Sequence, residues 1–211
     1  VTHLIDKNPK MLLKDIAYEK IKEKMMKGNE GYTSENTLVQ ELEMSRTPIR
    51  EALNRLQHEG FLRIMPNRGI MFTELTVDER NELIDMRIAV ETYSLKKAVQ
   101  RMDDRHIEQL KRIIAMQEEA YQKDDFYELL EKDSLFHQYL LEIVGNSHFI
   151  KMYRHARDRQ FTVRAGNWLR NKPDVLKVFI EEHMEILNAI IEGNVEAAVQ
   201  LLEEHLKKGK L

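Results

Sequence analysis

The 211-residue sequence contains no cysteine. That absence removes a disulfide framework, a thiolate metal site and a cysteine nucleophile together. No uninterrupted apolar stretch approaches the roughly 18 residues of a membrane-spanning helix, and nothing at the start has the shape of a secretory signal. The expectation is a cytoplasmic protein that does not enter a membrane. Strong charge of either sign is also lacking, with a formal net charge of -3. No internal repeat or low-complexity tract stands out. Apolar residues, by contrast, are plentiful: 42% of the sequence is hydrophobic, ample for packed cores and incompatible with wholesale disorder. The length suits one large domain, or a small one joined to a medium one.

The mild acidity is unevenly spread. Residues 1–75 carry 12 Lys+Arg against 11 Asp+Glu, and residues 76–211 carry 21 against 25. Within 44–68 there are five arginines against two glutamates. Contact with DNA needs a local basic surface, not a basic protein. The run SRTPIREALNRLQHEGFLRIMPNRG (45–69) has a readable shape. Ser45 or Thr47 can cap a helix start by accepting from free backbone N–H groups. Pro48 then falls in the first turn, where its missing N–H costs nothing. Ile49, Ala52, Leu53 and Leu56 form one apolar arc, and Arg46 and Arg50 stack on a neighbouring arc near the N-terminus. Gly60 stops the helix. Residues 61–66 alternate as a short strand would, and Asn67-Arg68-Gly69 is a turn before a second strand at 70–73. A helix followed by a basic hairpin is the geometry of a winged helix-turn-helix.

Two helices precede this run. Leu13, Ile16, Ala17, Ile21 and Met25 mark the first, ending near Gly28, and Ser34 caps a second that holds Leu38, Val39 and Leu42. Thr73 to Asp78 reads as a linker. From Val77 onward no strand pattern occurs. Helical periodicity runs through 78–101, 104–122, 125–144, 147–170, 174–191 and 195–208, with short breaks between. The expected fold class is mostly α: an N-terminal winged helix-turn-helix domain over 1–75, then an antiparallel bundle of six to seven helices over 76–211.

In that bundle, polar residues fall on stripes assigned to the core. Asp133 and His137, at i and i+4, share a face with Leu129, Leu130, Phe136, Leu140 and Leu141. His183 lies among Leu176, Phe179, Ile180, Leu187 and Ile190, and His205 follows Ala198, Leu201 and Leu202 on one side. A buried carboxylate and three buried imidazoles without partners would together cost several kcal/mol. One divalent cation held by Asp133, His137, His183 and His205 resolves all four, and this donor set suits Zn²⁺, with Ni²⁺, Mn²⁺ or Fe²⁺ also tolerated. The bland alternative is separate core histidines bonded to backbone carbonyls and a simple Asp–His pair. Arg87 is a further charge on an inner stripe, beside Leu83, Ile84 and Ile88. It either pairs internally with Glu91 or offers a guanidinium to a carboxylate in a cavity. His3, His58, His106, His148 and His155 have no comparable arrangement and read as surface or incidental.

These residues resemble the GntR family of bacterial transcription regulators, in the FadR branch with its FCD effector domain. The likeness is carried by SRTPIREALNRLQHEGFL with the wing PNRG, and by DMRIAVE (85–91), DSLFHQYLLEIVGN (133–146), EEHMEILNAIIEGN (181–194) and EEHL (203–206). It covers roughly residues 10–208. The resemblance implies Arg46, Thr47 and Arg50 at the DNA, with Arg68 and Gly69 of the wing tip in the minor groove. It implies Asp133, His137, His183 and His205 as metal ligands, and Arg87 beside an effector pocket. Two departures stand out: Asn36 replaces the arginine usual after the glutamate of the second helix, and KGNEGYTSE lacks the usual Pro-Gly. The expected protein is a transcriptional regulator, acting as a repressor, that binds a palindromic double-stranded operator as a homodimer and senses a small carboxylate at a metal site. The alternatives are a metal-dependent enzyme using the Asp/His site, and a DNA-binding protein whose metal is only structural.

Overall fold

The computed structural model describes residues 12–27, 31–160 and 173–210. The chain divides into two compact units, residues 1–74 and 75–211. In the first, α1 (Leu13–Lys27), α2 (Glu35–Leu42) and α3 (Arg46–His58) are joined by a three-stranded antiparallel sheet of β1 (Tyr32–Thr33), β2 (Leu62–Met65) and β3 (Gly69–Phe72). Helix α1 packs on α3, and α2 packs on both. Ala17, Ile21, Leu38, Ile49, Leu53, Leu56, Phe61 and Ile70 close one core. Each fully buried Leu, Ile or Phe contributes about 1.5–3 kcal/mol relative to exposure.

Local chemistry sets the boundaries. Ser34 caps α2, its side chain accepting from the Thr37 amide at 3.1 Å. Ser45 occupies the N-cap position of α3 but makes no side-chain cap bond, so the expected cap there is positional only. Gly60, at φ 80°, ends α3. The Phe61 amide reaches the Leu56 carbonyl at 2.9 Å and the Gly60 amide reaches Gln57 at 3.0 Å, the paired bonds of a left-handed helix end.

The sheet departs from the sequence expectation in two ways. Tyr32–Thr33 adds a strand, pairing with Met71 and Ile70 of the central β3, where the altered connection left no local signal. Phe61 and Leu62 are both buried, whereas Arg63 and Ile64 are both exposed. Strict alternation fails because Phe61 belongs to the helix-ending turn, and beyond Leu62 the hairpin leaves the core. Gly69 has φ 93°, and a Cβ there would stand 2.8 Å from the Thr33 carbonyl oxygen. Only glycine fits between the wing tip and β1.

The second unit holds α4 (Val77–Val99), α5 (Asp104–Gln122), α6 (Phe126–Val144), α7 (Ser147–Gln160), α8 (Pro173–Ile191) and α9 (Val195–Lys207). The sequence expectation for 161–170 lies outside the described residues. Thr76 and Glu79 form a reciprocal cap that starts α4 at Val77, so Thr76–Asp78 is helix start and not linker. Asp103, Asp125 and Asn194 cap α5, α6 and α9. Helix α6 packs against α4 and α5, α8 against α5 and α9, and α9 against α4. Leu95, Leu110, Ile113, Phe136, Leu140, Leu187 and Leu202 fill the space between them. Among the described residues no helix is long and apolar enough to cross a membrane.

Candidate functional site

Packing of α5, α6, α8 and α9 brings the four polar residues flagged by periodicity to one point. The ligand atoms of Asp133, His137, His183 and His205 all lie within 4.8 Å of one another. Nε2 of His183 is 3.3 Å from Nε2 of His137 and 3.2 Å from Nε2 of His205, and the third edge is 3.3 Å. Asp133 Oδ1 stands 3.8 Å from His183 Nε2. The three imidazoles are buried, and Asp133 is a quarter exposed.

The opposite nitrogens fix the protonation pattern. His183 Nδ1 donates to Gln117 Oε1 at 2.9 Å, while Gln117 Nε2 donates to the Lys132 carbonyl at 3.1 Å. That second bond turns the amide oxygen toward His183, so the proton sits on Nδ1 and the Nε2 lone pair faces inward. His205 Nδ1 donates to Glu182 Oε2 at 2.7 Å, and Lys208 holds the other oxygen of Glu182. His137 Nδ1 is 2.7 Å from Glu91 Oε2, off the line of a well-aligned hydrogen bond. Burial, reinforced by the neighbouring imidazoles, drives the His183 pKa well below its ordinary value. Burial also lowers that of His205, against the opposing Glu182 bond. The Nε2 lone pairs of His183 and His205 therefore aim at one spot beside Nε2 of His137, where the rings cannot satisfy one another.

This donor set fits a divalent cation. Nitrogen ligands about 2.0–2.1 Å from a tetrahedral ion stand about 3.3–3.4 Å apart, and the observed edges are 3.2–3.3 Å. Carboxylates or an amide behind each ligating histidine are the usual support of such a centre. Separate core histidines bonded to backbone carbonyls, the bland alternative, do not describe this geometry. Phe136 stacks on His183 with ring centroids 4.1 Å apart and narrows the rotamers open to it.

Arg87 shows both features weighed from its sequence position. Its Nε donates to Glu91 Oε1 at 2.6 Å and its Nη1 to Gln160 at 3.1 Å, while Nη2 is buried without a partner. Burial opposes ionisation of Glu91, but Arg87 and His137 outweigh it and hold its pKa at about 2. A cavity of about 140 Å³ opens beside the cluster. Its polar lining includes Arg80, Arg87, Gln117, Asp133, His137 and His205; Ile84, Leu129, Leu176 and Phe179 supply apolar wall.

Gln117, Glu182 and Glu91 were not singled out as supports of the histidines. Gln117 did carry a signal, standing fully buried on the stripe of Leu110, Ile113, Ile114 and Ala120. Glu182 carried none, because only the packing of α8 against α9 brings it to His205. Of the remaining histidines, His58, His148 and His155 are exposed. His106 instead helps cap α5, its Nδ1 accepting from the Asp103 amide at 3.1 Å. His3 lies outside the described residues.

In the first unit, Arg46, Thr47 and Arg50 are exposed on the N-terminal part of α3. Arg46 donates to Asn36 Oδ1 at 3.2 Å, and Arg50 donates to Glu35 Oε2 at 2.8 Å. Arg68 is exposed at the wing tip, its carbonyl accepting from the Tyr32 hydroxyl, and Gly69 follows it. The family model described as "FCD domain" matches residues 82–208, and that described as "Bacterial regulatory proteins, gntR family" matches residues 13–72. The chain belongs to the GntR family. Over 175 residues it is 29% identical to the Nta operon transcriptional regulator of Aminobacter aminovorans, covering 83% of this chain and 80% of that protein. Over 178 residues it is 24% identical to the HTH-type transcriptional repressor RspR of Escherichia coli, covering 83% and 76%. The solved structure of E. coli McbR/YncC superimposes with TM-score 0.82 at 20% identity, covering 94% of this chain and 95% of that one. This GntR protein is thus a DNA-binding transcriptional regulator with an FCD domain. The metalloenzyme alternative is set aside, since both families and the relatives are regulators and not enzymes. Where the family arginine is replaced, Asn36 instead supports Arg46.

Proposed function

We propose that this GntR regulator reads an operator with α3 and the wing, and that a small carboxylate sensed in the FCD domain controls that reading. Arg46, Thr47 and Arg50 enter the major groove, where arginine meets guanine edges and phosphates. Arg68 and Gly69 of the wing reach the neighbouring minor groove. The chain acts as a homodimer on an inverted repeat, because two copies of α3 on one two-fold axis supply contacts that a single small domain lacks. Repression is the direction favoured, as RspR carries that description.

Asp133, His137, His183 and His205 hold a divalent cation, with three nitrogens and one oxygen favouring Zn²⁺ over Ni²⁺, Mn²⁺ or Fe²⁺. When bound, that cation supplies positive charge and an open position for a carboxylate oxygen. Arg87 orients the same carboxylate through its inward Nη2, while Glu91 keeps the guanidinium in place. The observation that carries the reading is the triangle of Nε2 atoms at 3.2–3.3 Å, with Nδ1 of His183 and His205 hydrogen-bonded to oxygens and Nδ1 of His137 beside Glu91 at 2.7 Å. An effector alters DNA affinity only through different affinity for the two arrangements of the dimer. The test is operator binding by fluorescence anisotropy, with zinc-loaded and chelated protein, across a panel of citrate-, lactate- and sugar-acid-like compounds. At least one acid shifts operator affinity of the zinc-loaded protein only. Acids that leave operator affinity untouched in both forms favour a purely structural metal and defeat the sensing role.

A further inference from the structure

The guanidinium groups that line the cavity are not equivalent. Arg87 is neutralised by Glu91, and Arg157 gives both Nε and Nη2 to Asp158 Oδ1 at 2.9 and 2.6 Å. Arg80 has a buried Nε with no hydrogen-bond partner. Burial alone shifts Arg80, lowering its pKa, with no carboxylate to offset it. Among the described residues lining the cavity, Asp133 supplies the one carboxylate, and it belongs to the metal cluster. The lining therefore offers a second, uncompensated positive group besides the cation site.

The spacing of the two groups restricts what can meet both. Arg80 precedes Arg87 by seven residues on α4, so both lie on one stripe, with Cα atoms about 10 Å apart along the axis. Ile84 lies between them and, with Leu129 and Phe179, makes the intervening wall apolar. The cavity of about 140 Å³ is close to the roughly 150 Å³ that accommodates a benzene ring. A small ligand with an anionic group at each end and a short hydrocarbon middle matches this arrangement.

We infer that the effector is a short dianion of the α,ω-dicarboxylate class, with one carboxylate at the cation and Arg87 and the other at Arg80. This deepens the carboxylate reading above and rests on it. A monocarboxylate would leave the buried Nε of half-buried Arg80 unpaired, whereas the second carboxylate forms a charge-assisted hydrogen bond there. Arg80 is thus a specificity-determining residue that sorts acids by their far end.

The test is calorimetric titration of butyrate, succinate, pentanoate and glutarate into the zinc-loaded full chain. Succinate and glutarate bind about tenfold or more tightly than the monocarboxylate of equal carbon number. In Arg80→Gln that preference collapses, while butyrate affinity and zinc content hold. Arg80→Lys retains the preference, which keeps the test decisive should the glutamine variant fold poorly. Equal affinity for mono- and dicarboxylates in the wild type overturns the role of Arg80 and leaves the cation-and-Arg87 site standing. So does a loss in Arg80→Gln that falls as heavily on butyrate as on succinate. Failure of all four acids to bind the wild type overturns the carboxylate reading itself.

Discussion

Gln117 is uncharged, yet it decides which nitrogen of His183 is free. Its amide is locked between the Lys132 carbonyl and His183 Nδ1, so the imidazole presents Nε2 to the cluster. Replacing Gln117 by Leu keeps the volume and removes the lock. The expected result is about a 10–100-fold loss in zinc affinity with all four ligands intact, measured by competition with a chromogenic chelator; unchanged affinity would contradict the supporting role. Glu91 works in the same way through charge. Its folded pKa of about 2 lies below the ordinary 4.5. Its contribution to stability is therefore complete above about pH 4.5 and is lost as pH falls towards about 2. Denaturant midpoints of wild type and Glu91→Gln should accordingly converge over that interval. A gap that stays constant from neutral pH to pH 2 would show that the Glu91 charge contributes nothing. The polar cluster was legible because Asp133 and three histidines interrupt apolar stripes at helical spacing. Glu182 was not, because its partnership with His205 arises from the packing of two helices.

At the scale of elements, the N-terminal helices and the hairpin follow from local signals: Ser34 caps α2, Gly60 ends α3, and Ile49, Ala52, Leu53 and Leu56 form its inner arc. The two-residue β1 has no such signal, since its identity comes from pairing with β3 across the sheet. Under the proposed reading α3 meets DNA with an arginine already engaged, because Arg50 is paired with Glu35 in the free protein. That exposed pair is weak in water, so the proposed contact with a guanine edge costs little to make. Arg50→Ala should weaken specific operator binding by about 1–3 kcal/mol, and Arg68→Ala should mainly flatten the salt dependence. Gel shifts at several salt concentrations separate the two effects. Operator affinity unchanged in both variants would remove α3 and the wing from the DNA surface.

For the whole molecule, the two units have separate cores, one around Ile49 and Phe61 and the other around Phe136 and Leu187. The residues proposed for sensing and those proposed for DNA reading accordingly lie in different units, and the periodicity changes from mixed to purely helical near residue 75. A cation that binds only the folded form stabilises it by mass action, so zinc should raise the melting temperature of the wild type and leave His183→Ala unmoved. The proposed sensing site depends on the four-residue cluster, and the most direct measurement is elemental analysis of protein purified without chelator, then equilibrated with zinc and desalted. About one zinc per chain is expected for a single four-ligand site, with His183→Ala and His205→Ala falling to background. Wild-type protein that carries no divalent metal and takes up none would contradict it.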